Sequence, residues 1–88
     1  MYYTYILQLK DKTYYTGFSS DLKKRVSKHK LGKVSQTKFL RPIKLVFYAA
    51  FISKKLALDF EKYLKTASGF AFRNKRLITK SLILSALP

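Results

Sequence analysis

At 88 residues the chain has room for one domain and little more, read as a single unit over 1–88. It has no cysteine, which excludes disulfide staples and thiolate metal sites, and its apolar run over Val46 to Ile52 is far too short to span a bilayer. Nineteen Lys and Arg against four acidic residues give a net charge of +15, and self-repulsion of that size favours a polyanionic partner, nucleic acid first, over a merely soluble basic protein or an anionic membrane. Seven Phe and seven Tyr supply the bulk that a small core needs. The N-terminus has no basic region followed by an apolar one, so no signal peptide is expected; with the absence of cysteine this fits the cytoplasm.

Residues 2–9 are rich in β-formers and predict a strand. Lys10-Asp11-Lys12 reads as a three-residue turn into a second strand, Thr13 to Gly17. That loop length sets Leu9 opposite Thr13, Leu7 opposite Tyr15 and Tyr5 opposite Gly17. Tyr3, Tyr5 and Tyr15 then share one face, with Gly17 leaving space beside Tyr5, while Tyr2 and Tyr14 point the other way. The chain turns at Gly17 and a helix is expected over Asp21 to Lys30, capped by Ser20 or Asp21 and ended by Gly32 in the left-handed conformation. Leu31 to Pro42 is predicted as a loop, where Ser35, Gln36 and Thr37 either meet phosphate oxygens or are simply solvated. Ile43 to Phe51 is apolar on nearly both faces and predicts a well-covered strand. Ser53 opens a second helix whose stripe is read as Leu56, Phe60, Leu64 and Ala67, stopped by Gly69. From Phe70 onward a turn is expected, then a short helix including Leu82-Ile83-Leu84. The fold class is α+β, a three-stranded antiparallel sheet flanked by helices.

In the first helix Leu22, Val26 and His29 fall on one face, with Arg25 at its edge. A cation and an imidazole are thus aimed at the surface on which the apolar stripe packs, where a purely structural helix would keep them in water. Two tyrosines, Tyr5 and Tyr15, an arginine, Arg25, a histidine, His29, and a carboxylate, Glu61, suit phosphodiester hydrolysis. A water must lose a proton, and the charge on phosphorus and on the leaving oxygen must be neutralised. Arg forks match phosphate, and one carboxylate plus waters can hold a divalent metal. A phenol with a pKa near 10 must be shifted down to act as base, and the cationic surroundings are expected to do that. Taken singly, the tyrosines read better as amphipathic core residues. Arg25 can snorkel, His29 can be an ordinary helix-end residue, and Glu61 can pair with Lys65.

Taken together, Thr4-Tyr5-Ile6-Leu7, Tyr15-Thr16-Gly17, Arg25 ten residues after Tyr15, and His29 one turn later resemble the GIY-YIG nuclease domain, in particular its small stand-alone bacterial branch. Arg41-Pro42 before the apolar strand, and Ala57 with Glu61, extend the resemblance from Tyr3 to about Ile78. The first motif lacks its Gly and Ile and keeps the tyrosine; the second has Thr where Ile is usual. The resemblance implies an endonuclease that uses one Mg²⁺ or Mn²⁺ held by Glu61. Tyr5 would be general base or water positioner, Tyr15 would orient nucleophile or phosphate, Arg25 would steady phosphoryl charge, and His29 would support the phosphate or proton traffic. Asn74 is matched to a polar residue after the second long helix. Nucleic acid is expected to meet Lys24, Arg25 and Lys28 on the first helix, Lys33, Lys38 and Arg41 on the loop, and Arg73, Asn74 and Lys75 beyond the second helix. DNA is favoured over RNA, and another protein is expected to supply target choice, since the chain carries no added DNA-binding domain. The rival expectation is a binding module of the same fold that cleaves nothing.

Overall fold

The computed structural model describes residues 1–78. The expected short helix at Leu82-Ile83-Leu84 lies outside them. Strands β1 (Tyr2–Gln8), β2 (Tyr14–Ser19) and β3 (Lys44–Phe51) form an antiparallel sheet in the order β2-β1-β3. Helix α1 (Leu22–Lys30) follows β2. A 3-10 turn (Lys38–Leu40) precedes β3, and α2 (Lys54–Leu64), α3 (Ala67–Phe72) and a π-helical turn (Arg73–Leu77) follow it.

The hairpin pairs Tyr5 with Gly17 and Leu7 with Tyr15, the expected register. Its loop closes through Leu9 N–H to Thr13 O at 2.8 Å, with Lys12 at φ 71° taking the left-handed position. Asp11 accepts from both the Thr13 amide and hydroxyl, at 3.1 and 2.6 Å, which holds its carboxyl below the usual value. The chain does not turn at Gly17: β2 runs on to Ser19, because Thr4 and Tyr3 still offer partners to Phe18 and Ser19. Tyr3, Tyr5, Leu7 and Leu9 face α1, where Tyr5, Leu7, Leu9, Val26 and Ile43 form the main core. The opposite face meets α2: the Thr4 hydroxyl donates to Ala57 O at 2.6 Å, and Phe60 lies against Phe47 and Phe51.

Of the two expected caps for α1, Asp21 serves, its carboxylate accepting from Lys24 N–H at 3.1 Å; such a cap stabilises a helix by about 1 kcal/mol. The helix ends as expected at Gly32, φ 75°, with Gly32 N–H bonded to His29 O and Lys33 N–H to Lys28 O. A side chain at Gly32 would meet the Arg41 guanidinium at 2.6 Å. That guanidinium donates to Lys38 O and to Lys30 O, tying the end of α1 to the 3-10 turn that the loop prediction lacked.

Four expectations on the C-terminal half are corrected. β3 is an edge strand with Lys44, Tyr48 and Ala50 exposed, so it is covered on one face rather than two. The inward stripe of α2 is Ala57, Phe60 and Leu64; Leu56 is 54% exposed and Ala67 is exposed too. The small Ala57 lets the α2 backbone approach the Thr4 hydroxyl, and that contact sets the helix phase. Gly69 does not stop α2, which ends at Leu64. Thr66 caps α3 instead, and Gly69 sits inside α3 because a Cβ there would collide with the Tyr63 carbonyl. Phe70 to Phe72 are therefore helical rather than a turn.

Candidate active site

The site forms where the period of the β1–β2 hairpin meets the period of α1. Alternation puts Tyr5 and Tyr15 on the α1 face, and helix phase puts Arg25 and His29 over them. The Tyr5 hydroxyl lies 2.8 Å from His29 Nε2, and Arg25 Nε–H donates to the same oxygen at 3.4 Å. The Tyr15 ring packs edge-on against His29 at 5.2 Å between centroids and 6.4 Å from the Tyr5 ring. Tyr5 and His29 are fully buried; Arg25 and Tyr15 are half-buried. Space for the Tyr5 ring exists because Gly17, directly opposite, has no side chain. A Cβ at that position would fall inside the Tyr5 Cζ and hydroxyl oxygen.

Thr37 is the residue that sequence reasoning missed. It is buried at 0% exposure, and its Oγ1 lies 2.8 Å from His29 Nδ1. Both imidazole nitrogens are therefore occupied. With the proton on Nδ1, Thr37 accepts and Tyr5 donates to Nε2; with it on Nε2, the two hydroxyls exchange roles. The expected polar trio splits: Ser35 and Gln36 are exposed and bond each other, while Thr37 faces neither phosphate nor solvent. Its only sequence signal is a threonine just before a basic-apolar run, too little to point inward.

Burial pushes the Tyr5 phenol above its usual value, against the hydrogen bond and charge of Arg25; Tyr15 and Glu61 push it the same way as burial. This overturns the expectation that the cationic surroundings lower it. Desolvation of a buried phenolate outweighs charges screened by water outside. The same burial, joined by the Arg25 charge, takes His29 down to about 4, so the imidazole is neutral at pH 7. In the unfolded chain it titrates near 6.5. Between those values the unfolded state binds the extra proton, so stability is whole above about pH 6.5 and falls as pH drops toward 4. The loss reaches up to about 3 kcal/mol. Melting curves from pH 7 to 4.5 should show it, and His29→Gln should flatten the slope across that window. An equal slope in both proteins would mean that His29 carries its proton in the fold.

The other expected residues are placed less closely. Glu61, on α2, has a half-buried side chain and accepts from Lys65 Nζ at 3.2 Å. Among the described residues no hydrogen bond joins it to the tyrosine cluster, although its charge acts on Tyr5. The remaining acids are used elsewhere: Asp11 holds the hairpin turn, Asp21 caps α1, and Asp59 pairs with Lys55 at 2.7 Å. Among the described residues no three His, Cys, Asp or Glu gather as metal ligands. A lone carboxylate suits only an ion that completes its shell with waters and phosphate oxygens. Lys24, Lys28, Lys33 and Lys38 are exposed. Arg41 is engaged with main-chain carbonyls, and Arg73 lies over Tyr14 and Phe70 at 5.0 and 4.6 Å with its Nε–H on Asn74. Lys75 is exposed beside them. No helix of the described residues is long and apolar enough to cross a membrane.

The chain is similar to known proteins along most of its length. The model of the GIY-YIG catalytic domain matches residues 1–76. A UPF0213 protein of Streptococcus pyogenes serotype M5 (strain Manfredo) is 42% identical over 64 residues, which cover 72% of this chain and 70% of that protein. A UPF0213 protein of Streptococcus pyogenes serotype M3 (strain MGAS315) has the same identity and coverage. The solution NMR structure of the UPF0213 protein BH0048 from Bacillus halodurans is 40% identical, covers 74% of this chain and 71% of its own, and superposes with a TM-score of 0.48.

Proposed function

The chain belongs to the GIY-YIG catalytic domain family, and from that premise we propose that it is a metal-dependent endonuclease that hydrolyses phosphodiester bonds of nucleic acid, DNA before RNA. The observation that carries this reading is the Tyr5 hydroxyl held between His29 Nε2 and the Arg25 guanidinium, in a chain of net charge +15. A buried phenol with a raised pKa is a poor resting base, and here it serves as a relay. As a water attacks phosphorus, its proton passes to the Tyr5 oxygen while the Tyr5 proton passes to His29 Nε2, which is neutral and free to take it in the tautomer whose Nδ1–H donates to Thr37. Burial first and the Arg25 charge second hold His29 low; the arriving phosphate offsets the second, so the imidazole gains basicity when substrate is bound. Arg25, half-buried, keeps guanidinium N–H groups for the phosphoryl oxygens. Tyr15 packs against the imidazole and limits where the water can stand. Glu61 is the carboxylate for one Mg²⁺ or Mn²⁺. Bound there, the ion supplies Lewis acidity and neutralises charge on the phosphate and leaving oxygen. The setting is the cytoplasm, with target choice supplied by another protein.

The test is incubation of the protein with branched, single-stranded and duplex substrates in Mg²⁺ or Mn²⁺, against a chelator control. Cleavage that the chelator stops is the expected result. Nucleic-acid binding without cleavage across metals and substrate shapes would instead favour the non-cleaving binding module, a reading to which the raised Tyr5 pKa gives some support.

A further inference from the structure

On the flank of α1 away from Arg25 and His29 lies an open groove of about 690 Å³ between α1 and β3. Tyr3, Leu45 and Tyr48 line it from the sheet, and Leu22 and Val26 from the helix. Tyr48 is 55% exposed, and its ring meets that of Tyr3 edge-on, 6.3 Å between centroids and 61° between planes. The exposed Lys23 and Lys30 line the same groove from α1. The single acid there, Asp21, has a carboxylate oxygen committed to the helix cap. No residue of the groove belongs to the tyrosine–histidine cluster, yet Tyr48 is the cross-strand partner of Tyr5 on β1.

We propose that this groove takes an unpaired nucleobase of the nucleic-acid substrate, stacked on Tyr48 in the corner formed with Tyr3, with its flanking phosphates on Lys23 and Lys30. The inference rests on the reading of the chain as acting on nucleic acid and names the part of the substrate that it grips. An apolar aromatic corner edged by cations fits a ligand that is a flat π-face between two negative charges, which describes one nucleotide. A peptide of apolar side chains would not use the lysines, and the +15 charge of the chain opposes a second copy of itself. In a duplex the base faces are covered by their neighbours, so only a single strand, loop or flap presents one. The volume lies within the range of sites that enclose a ligand of this size.

The experiment measures binding in chelator, so that cleavage plays no part, with three fluorescein-labelled probes: a short oligothymidylate, an abasic oligomer of equal length, and a duplex. Native protein should prefer oligothymidylate over the abasic strand by about tenfold, the worth of a stacked base. Tyr48→Ala should erase that preference and leave abasic and duplex binding unchanged; Tyr48→Phe, which keeps the ring, should retain it. Lys23→Ala and Lys30→Ala should each flatten the salt dependence on the single strand by roughly 0.7 in log–log slope. Melting curves check that each variant is folded. A Tyr48→Ala protein that keeps its preference, or loses affinity equally on thymidylate and abasic strands, overturns the proposal. So does sedimentation showing a self-association that Tyr48→Ala abolishes. Base-indifferent binding with intact metal-dependent cleavage removes the groove alone, whereas failure of the native protein to bind any probe removes the nuclease reading with it.

Discussion

Replacing Glu61 by Gln should abolish metal-dependent cleavage, by more than about a hundredfold, while binding and folding stay nearly native. Asp11, Asp21 and Asp59 are each committed to a turn, a cap or an ion pair. Glu61 is paired too, with Lys65, but unlike the exposed Asp59 it is half-buried, and it alone of the four acids acts on the Tyr5 phenol through its charge. Glutamine keeps the shape but not the charge, and it removes a negative charge from a basic surface, so affinity for nucleic acid should rise slightly. The structural cost is confined to the i,i+4 pair with Lys65, worth about 0.3–0.5 kcal/mol. Native and Glu61→Gln proteins are compared for cleavage and binding on the same substrates, with melting as the folding control. Equal cleavage by both proteins would show that the metal is held elsewhere.

Gly17→Ala should be the most damaging small substitution in the hairpin. Gly17 has no positive φ, so its backbone accepts alanine without strain. The obstruction is the Tyr5 ring, into which the new methyl would point. That ring is fully buried and fixed by His29, Arg25 and Tyr15, so it has no free direction in which to move. Overpacking of this kind costs about 1–3 kcal/mol, a fall of roughly 4–8 °C in melting temperature per kcal/mol for a chain this size. Displacing the phenol by about 1 Å should also lower cleavage by about a hundredfold. Tyr5→Phe separates the two effects. It removes the hydroxyl without pushing the ring, so it should match the loss of activity and lose stability only through the unpaired His29 nitrogen and Arg25 N–H. Native activity in Gly17→Ala would show that the position of the Tyr5 hydroxyl does not control the reaction.

The hairpin and the first helix were legible because their signals are local and periodic. Strand alternation and a three-residue loop fix the facing of Tyr5, Tyr15 and Gly17, and a 3.6 period with Asp21 and Gly32 at its ends fixes Arg25 and His29. Thr37 was illegible because an irregular loop has no period, and its inward turn depends on a partner at His29. The phase of α2 was misread because Leu56 outweighs Ala57 on any hydrophobic count. The tertiary contact from Thr4, not the residue's own apolar area, decides which side faces in. Gly69 carries the stop signal of a helix end, but its lack of a side chain is spent on the close approach to Tyr63 O. The Tyr5 shift went the other way from expectation because net charge is visible in a sequence and depth of burial is not.

The strand order β2-β1-β3 also bears on how the molecule assembles. The β1–β2 ladder joins near neighbours in the chain, whereas the β1–β3 ladder closes a loop roughly six times longer, at an added entropic cost of about 1.6 kcal/mol. Tyr5, Tyr15, Arg25, His29 and Thr37 all belong to the portion that the short loop closes, while Glu61 lies beyond β3 in the chain, on α2. Loop-closure entropy therefore favours a folding order in which the phenol–imidazole–guanidinium cluster condenses first and the carboxylate is added last. A chain halted midway along that route would hold the phosphate-facing cations without the one side chain suited to an ion.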